Sequence, residues 1–178
     1  IQQRAVSTCI RLRKPAIVAT HMLESMIENP VPTRAEVSDI THAVAQKTDA
    51  IMLSGETTIG KYPLGCVRVF KRIAETTEKL ESNNQRAAVT LRNPKNKLLR
   101  SAGQLAEDID GACVIVFTRA GNLPQTLSSL RLVDTPIFAF TDQPILETQM
   151  RLLRGVEPFL IEFAENREIT IQTAFKTL

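Results

Sequence analysis

The sequence predicts an α/β protein whose strands run mainly parallel, and three observations carry that expectation. Apolar runs of strand length alternate along the chain with segments of helical period, the order that successive βα units produce. A length of 178 residues with 43% hydrophobic content supports one fair-sized core or two small ones, and is too short for a large enzyme barrel. Between Ser82 and Ala106 the chain carries Arg86, Arg92, Lys95, Lys97 and Arg100 among asparagines and Pro94, with no acidic residue, which reads as a linker between two halves.

In the left half, residues 1–13 are expected to be helical, with Ile1, Ala5, Cys9 and Leu12 on one face, and "PAIVAT" (Pro15 to Thr20) is a strand. A long loop, "HMLESMIENPVPT", leads to a helix at about Arg34 to Gln46 whose apolar face is Val37, Ile40 and Val44. "DAIML" (Asp49 to Leu53) is the second strand. After its loop, Pro63 starts a helix to about Glu81 that buries Val67, Phe70, Ala74 and Leu80. The right half continues with a helix near Lys97 to Asp108, strand "ACVIVFT", a helix from about Leu123 to Leu130, strand "PIFAFT", and a helix near Pro144 to Leu153. A third strand, "EPFLIEF", precedes a helix with Ile171, Phe175 and Leu178 on its apolar face. The chain begins at Ile1 with no N-cap and ends with no helix stop signal, so both ends read as cut within helices.

A formal net charge of +3 is too small to argue for nucleic acid, and the basic stretch has no aromatic beside it to stack on bases, so a solvated hinge is the preferred reading over an anion or nucleic-acid patch. No apolar run approaches the ~20 residues of a membrane helix, and no charged-then-apolar leader is present. Cys9, Cys66 and Cys113 are odd in number and far apart, which favours reduced core thiols in a cytosol-like, cytoplasmic compartment.

Parallel α/β proteins gather ligands beyond the carboxyl ends of their strands. The first strand ends in Thr20, with Glu24 and Ser25 in the loop behind it; the second delivers Ser54 and Glu56 around Gly55, a residue that lets a backbone come close or bend unusually. The other possibility is that Ser54 and Thr57 cap the loop and Glu56 is solvated. Met22 and Met26 recur at a spacing that suits packing, Met52 is expected in the core, and His42 on a helix flank.

The stretches "KPAIVATHMLESMIENPVPTRAEVSDITHAV" and "DAIMLSGETTIGKYP" closely resemble the pyruvate kinase family, motif by motif over about Lys14 to Pro63. The resemblance implies the last two βα units of a (β/α)8 TIM barrel in residues 1–82, a linker at 83–96, and a truncated C-terminal α/β domain with a mainly parallel sheet at 97–178. It also implies phosphoryl transfer from phosphoenolpyruvate to ADP, with magnesium and potassium, in a homotetramer. By that resemblance Thr20 lies near the enolate carbon, and Ser54 and Glu56 help relay a proton to it through water. A bare hydroxyl is too weak an acid at neutral pH to act alone, which makes sense of a carboxylate in such a relay. Glu24, Arg34 and Glu36 fall in loops near the substrate or the subunit contact, while Lys61 reads as an exposed loop lysine and His21 as a supporting polar group.

The family's magnesium carboxylates, catalytic lysine and potassium ligands come from earlier strands that this sequence does not contain, so the chain alone is expected to be inactive and to bind none of these ions. In the right half, "TRAGNLPQTLS" keeps Thr118, Gly121 and Thr126 but has Arg119, Ala120, Asn122 and Leu123 where many members have a hydroxyl-rich effector turn. Backbone amides with Thr118, Arg119, Gly121 and Asn122 could hold an effector phosphate there, against ordinary turn structure. Two alternative functions are a free-standing phosphate-ligand module and a scaffold that self-associates through exposed strand edges.

Overall fold

The computed structural model describes residues 1–80, 89, 91 and 93–178. They form two compact units: Ile1–Cys9 with Pro15–Gln85, and Ile10–Lys14 with Arg86–Leu178. Of the expected linker, residues 83–88, 90 and 92 lie outside the described residues.

The chain opens with α1 (Gln2–Arg11), whose last two residues, Ile10 and Arg11, belong to the second unit. Its buried residues are Val6 and Ile10, whereas Ile1 and Leu12 are exposed, so the inward face is not the expected one. One residue of offset turns a helical stripe by about 100°, and Val6 and Ile10 form the i, i+4 pair that faces inward instead. Strand β1 (Ile17–Val18) runs parallel to β2 (Ala50–Ile51), with Ile17 opposite Ala50. Both are shorter than the apolar runs suggest, and side chains extend the pairing. The Asp49 carboxylate accepts the Ala16 N–H at 2.9 Å, and the Thr48 hydroxyl donates to the Ala16 carbonyl at 2.7 Å.

Helix α2 (Arg34–Ala45) is followed after β2 by the single turn α3 (Gly55–Thr58) and by α4 (Pro63–Leu80). Met22, Leu23, Met26, Ile40, Ala43, Val44 and Cys66 make the core, with Ile51, Leu53, Phe70 and Ala74 packed on it. Met52 is exposed, contrary to expectation, because alternate strand residues face opposite ways and its neighbours Ile51 and Leu53 take the core side. On α4 the buried positions are Cys66 and Thr77, while Val67 and Leu80 face outward. His42 is exposed on α2, as expected.

The second unit begins its regular structure with α5 (Pro94–Glu107), three residues earlier than the sequence suggests. Asn93 accepts the Lys95 N–H as N-cap and Pro94 occupies the first turn, a start signal that draws Lys95 into the helix. Then come β3 (Val114–Phe117), α6 (Asn122–Ser129), β4 (Ile137–Thr141), α7 (Pro144–Met150), β5 (Val156–Leu160) and α8 (Arg167–Thr177). The sheet is parallel in the order β3-β4-β5, with Val114 opposite Ile137 and Ile137 opposite Val156.

Phe140 is fully buried at the centre of this sheet, stacked on Phe117 at 5.5 Å and on Phe159 at 5.1 Å between ring centroids. Helix α8 buries Thr170 and Ala174, and Ile171, Phe175 and Leu178 are exposed, the reverse of the expected face. Small residues let the helix approach closely, and the Thr170 hydroxyl accepts the Ala164 N–H at 3.0 Å, which fixes that side inward. Among the described residues no helix is long and apolar enough to cross a membrane.

Candidate active-site loops

Beyond β1 the backbone turns through left-handed conformations at Thr20 (φ 75°) and His21 (φ 52°). A β-branched residue rarely adopts that region, and a conformation of this kind persists only when its surroundings hold it. Thr20 is exposed. His21 bonds through Nδ1 to Glu24 Oε2 at 2.5 Å, both on the surface, so Glu24 is engaged locally.

Two buried carboxylates hold the loops. Glu56, only 3% exposed, accepts the Leu23 N–H at 3.1 Å on Oε1 and the Ser54 N–H at 2.9 Å on Oε2. It thereby ties the loop after β1 to the loop after β2. Glu56 is not solvated; each oxygen accepts one amide and keeps further acceptor capacity. Ser54 stands at the N-cap position of α3, but its side chain makes no cap bond; its backbone carbonyl accepts both the Thr57 N–H and the Thr57 hydroxyl. Gly55 has no left-handed φ, and a Cβ there would meet Ile27 Cδ1 at 3.4 Å, an ordinary contact. The conformational role expected of this glycine is therefore not found.

Glu36 does the same one layer out. Its carboxylate accepts the Ser25 N–H at 2.7 Å, the Ser25 hydroxyl at 2.5 Å, the Thr33 N–H at 2.7 Å and the Thr33 hydroxyl at 2.8 Å. Burial pushes its pKa up, but the hydrogen bonds from Ser25 and Thr33 outweigh burial and hold it below the ordinary 4.5. Thr33 with Glu36 is a capping box, and its Thr-x-x-Glu signature was present in the sequence, so this role was legible there. The reach of Glu36 back to Ser25 has no local signal. Arg34 lies exposed on the first turn of α2. Lys61 is paired with Glu28 on the surface, and that bond raises its pKa. Cys66 is pushed up first by burial and then by the Glu56 charge, which keeps it a protonated, unreactive thiol.

In the second unit the turn after β3 is closed by its own side chains. The buried Thr118 hydroxyl accepts the Ala120 N–H at 3.3 Å and the Gly121 N–H at 2.9 Å. Arg119 Nε donates to Asp142 Oδ2 at 2.7 Å, and its guanidinium lies 5.3 Å from the centre of the Phe163 ring. Gly121 (φ 73°) enters α6, at whose first position Asn122 stands. Two of the amides expected to face a phosphate are thus bonded to Thr118.

Among the described residues no three His, Cys, Asp or Glu side chains converge as metal ligands would. Glu36 is filled by four N–H and O–H donors, and Glu56, which accepts two amides, has no such group of ligands around it among the described residues, so the residues present do not fit a resident magnesium site.

Residues 1–67 match the family described as "Pyruvate kinase, barrel domain" and residues 96–178 the one described as "Pyruvate kinase, alpha/beta domain". The chloroplastic pyruvate kinase isozyme G of Ricinus communis is 40% identical over 180 residues, which cover 100% of this chain and 43% of that protein. A Mycobacterium tuberculosis pyruvate kinase is 37% identical over 181 residues, covering 100% of this chain and 38% of its own length. The chain thus spans less than half the length of these curated relatives. A crystal structure of a pyruvate kinase from Cryptosporidium parvum superposes with a TM-score of 0.88 at 30% identity, covering 99% of this chain and 37% of that one. The Pyrobaculum aerophilum enzyme gives 0.87 at 30% identity, with 98% and 40% covered. With both of its halves matched, the chain belongs to the pyruvate kinase family.

Proposed function

We propose that this chain forms one wall of the active site of a pyruvate kinase, which transfers a phosphoryl group from phosphoenolpyruvate to ADP and protonates the enolate to pyruvate. The observation that carries the proposal is the Glu56 bridge, because it brings the Thr20 loop and the Ser54 loop under one buried carboxylate. Thr20 sits at the enolate carbon, Ser54 passes a proton through water, and Glu56 and Glu36 act mainly as positioning residues. The amide and hydroxyl bonds on those two carboxylates favour positioning over a free relay, although Glu56 keeps lone pairs for a water.

Phosphoryl transfer depends on cations that offset charge on the transferring group. Magnesium and potassium supply that chemistry in the complete enzyme, held by residues outside this chain, so the chain by itself forms no pyruvate. The reading extends to a homotetramer working in the cytoplasm, although relatives include chloroplastic proteins. Matches on both halves favour it over an effector module or a self-associating scaffold.

The test is pyruvate formation by the full-length protein that contains this chain and by its Thr20→Val variant. Loss of a positioned proton donor is expected to lower kcat by about 100-fold or more, with KM for phosphoenolpyruvate little changed. Unchanged kcat would remove Thr20 from the proton path. Turnover by the 178 residues alone would overturn the division of labour with the missing wall.

A further inference from the structure

We propose that Asp110 is a site of spontaneous backbone modification, at which aspartate isomerises to isoaspartate through a cyclic imide formed with the Gly111 nitrogen. Residues 108–113 join α5 to β3, and both Asp110 and Gly111 are exposed there. Asp110 with Gly111 is the one place in the sequence where a glycine follows an aspartate or an asparagine. The residue after the aspartate matters because its amide nitrogen is the nucleophile, and a side chain on it would crowd the approach.

The step balances with water as its only co-reactant. The Gly111 nitrogen attacks Cγ of the protonated form of the Asp110 carboxyl. An N–Cγ bond forms, and the amide proton leaves with the carboxyl OH as water. A second water then reopens the five-membered ring. Attack at Cγ returns aspartate, whereas attack at the backbone carbonyl carbon of Asp110 leaves the chain running through the side chain as isoaspartate. Nothing is oxidised or reduced.

The turn leaves both reacting groups free. Its own hydrogen bonds run from the Ile109 N–H to the Ala106 carbonyl at 3.2 Å and from the Ala112 N–H to the Ile109 carbonyl at 3.1 Å, bracketing the pair without using it. Among the described residues nothing accepts the Gly111 N–H and nothing bonds to the Asp110 carboxylate. Gly111 holds φ 71°, and no atom beyond its chain neighbours lies within 4 Å of where a Cβ would stand, so the ring has room to close. The extra backbone carbon of the product falls inside the loop that the Ala112-to-Ile109 bond closes, so it opens the turn immediately ahead of β3.

The other aspartates lack this combination. Asp49 accepts the Ala16 N–H, and Asp142 is bonded to Arg119 and Gln143. Asp39 lies inside α2, where the next amide belongs to the helix ladder. Asp108 and Asp134 are exposed but precede the β-branched Ile109 and Thr135, whose side chains hinder the nitrogen. The proposal is independent of the catalytic reading above, because neither Asp110 nor Gly111 belongs to the Thr20 or Ser54 loops.

The test is incubation at neutral pH of the full-length protein that contains this chain, followed by trypsin cleavage. The peptide Ser101–Arg119 holds both Asp108 and Asp110, and electron-transfer fragmentation tells isoaspartate from aspartate at each. Isoaspartate that grows with time at Asp110 and not at Asp108 is expected. Gly111→Ala should lose most of that growth. Asp110→Asn should accelerate it, because an amide leaves as ammonia and needs no protonated carboxyl. A thermal melt shows whether Gly111→Ala keeps the parent fold, and if it does not, Asp110→Asn, a change of one exposed polar side chain for another, decides. Absence of isoaspartate at Asp110, equal growth at Asp108, a folded Gly111→Ala variant that isomerises as fast as the parent, or no acceleration in Asp110→Asn would each overturn the proposal.

Discussion

After β1 and β2 the chain ties its loops with buried carboxylates, whereas after β3 it closes a turn with a hydroxyl and rests the sheet on stacked phenylalanines. Glu36 and Glu56 each join segments that are distant in sequence: Ser25 to Thr33, and Leu23 to Ser54. The Thr118 hydroxyl accepts N–H groups two and three positions on, while its own N–H continues the sheet to the Phe140 carbonyl. The difference teaches where each unit is vulnerable. A loop held by an ionised group between distant segments depends on charge and pH, while a locally closed turn over an aromatic core depends on packing.

The largest expected effect tests the packing side. Phe140 is fully buried and stacked on two other rings, so Phe140→Ala should cost about 3–5 kcal/mol from lost burial and the cavity left behind. Hydrogen exchange of the amides in β3, β4 and β5 would report it. If those strands kept their protection, the aromatic stack would not be what secures the second unit.

Glu36→Gln tests the other side. The amide keeps one acceptor oxygen but presents donors to groups that also donate, so an unfolding free energy lower by roughly 1.5–3 kcal/mol is expected in denaturant titration. The same clamp predicts a pH dependence. The folded-state pKa of Glu36 lies below its ordinary 4.5, so its contribution is fully present above that value and is lost as pH falls through the lower folded value. Stability of the first unit should drop in that acid range, and Glu36→Gln should flatten the drop. An acid profile identical in parent and variant would assign the loss to other carboxylates.

How much of this was legible in the sequence follows from the range over which each signal acts. Strand-to-helix order and the loop motifs are local patterns, and every expected element is present among the described residues. Helix faces were less legible: α1 and α8 turn a different stripe inward than apolar counting suggests, and on α4 Phe70 and Ala74 pack on the core as expected while Val67 and Leu80 face outward. On α8 the reason is explicit, since Thr170 and Ala174 fit against the sheet and larger apolar residues nearby face out. The candidate site divides the same way. Thr20, Ser54 and Glu56 were visible as polar residues at strand ends, and the capping box of Thr33 and Glu36 has a sequence signature. The bonds from Glu56 to Leu23 and from Glu36 to Ser25 span 33 and 11 residues, and only the folded chain brings those groups together.

The smallest expected effect sharpens the contrast at the β3 turn. Gly121 holds φ 73°, a conformation that costs a side-chain-bearing residue about 1–2 kcal/mol, and a Cβ there would lie 2.8 Å from Leu146 Cδ1. Leu146 is the far end of a flexible side chain and can yield, so the backbone term dominates in Gly121→Ala. The variant should therefore lose about 1–2 kcal/mol of stability in the second unit, with no change in its acid profile, because no carboxylate bonds to the turn amides of Ala120 and Gly121. Gly121→Asn, which tolerates the left-handed region better, should recover part of the loss if conformation is the cause. Equal losses for alanine and asparagine would make the Leu146 contact the cause instead, and the turn would then be secured by packing like the sheet beneath it.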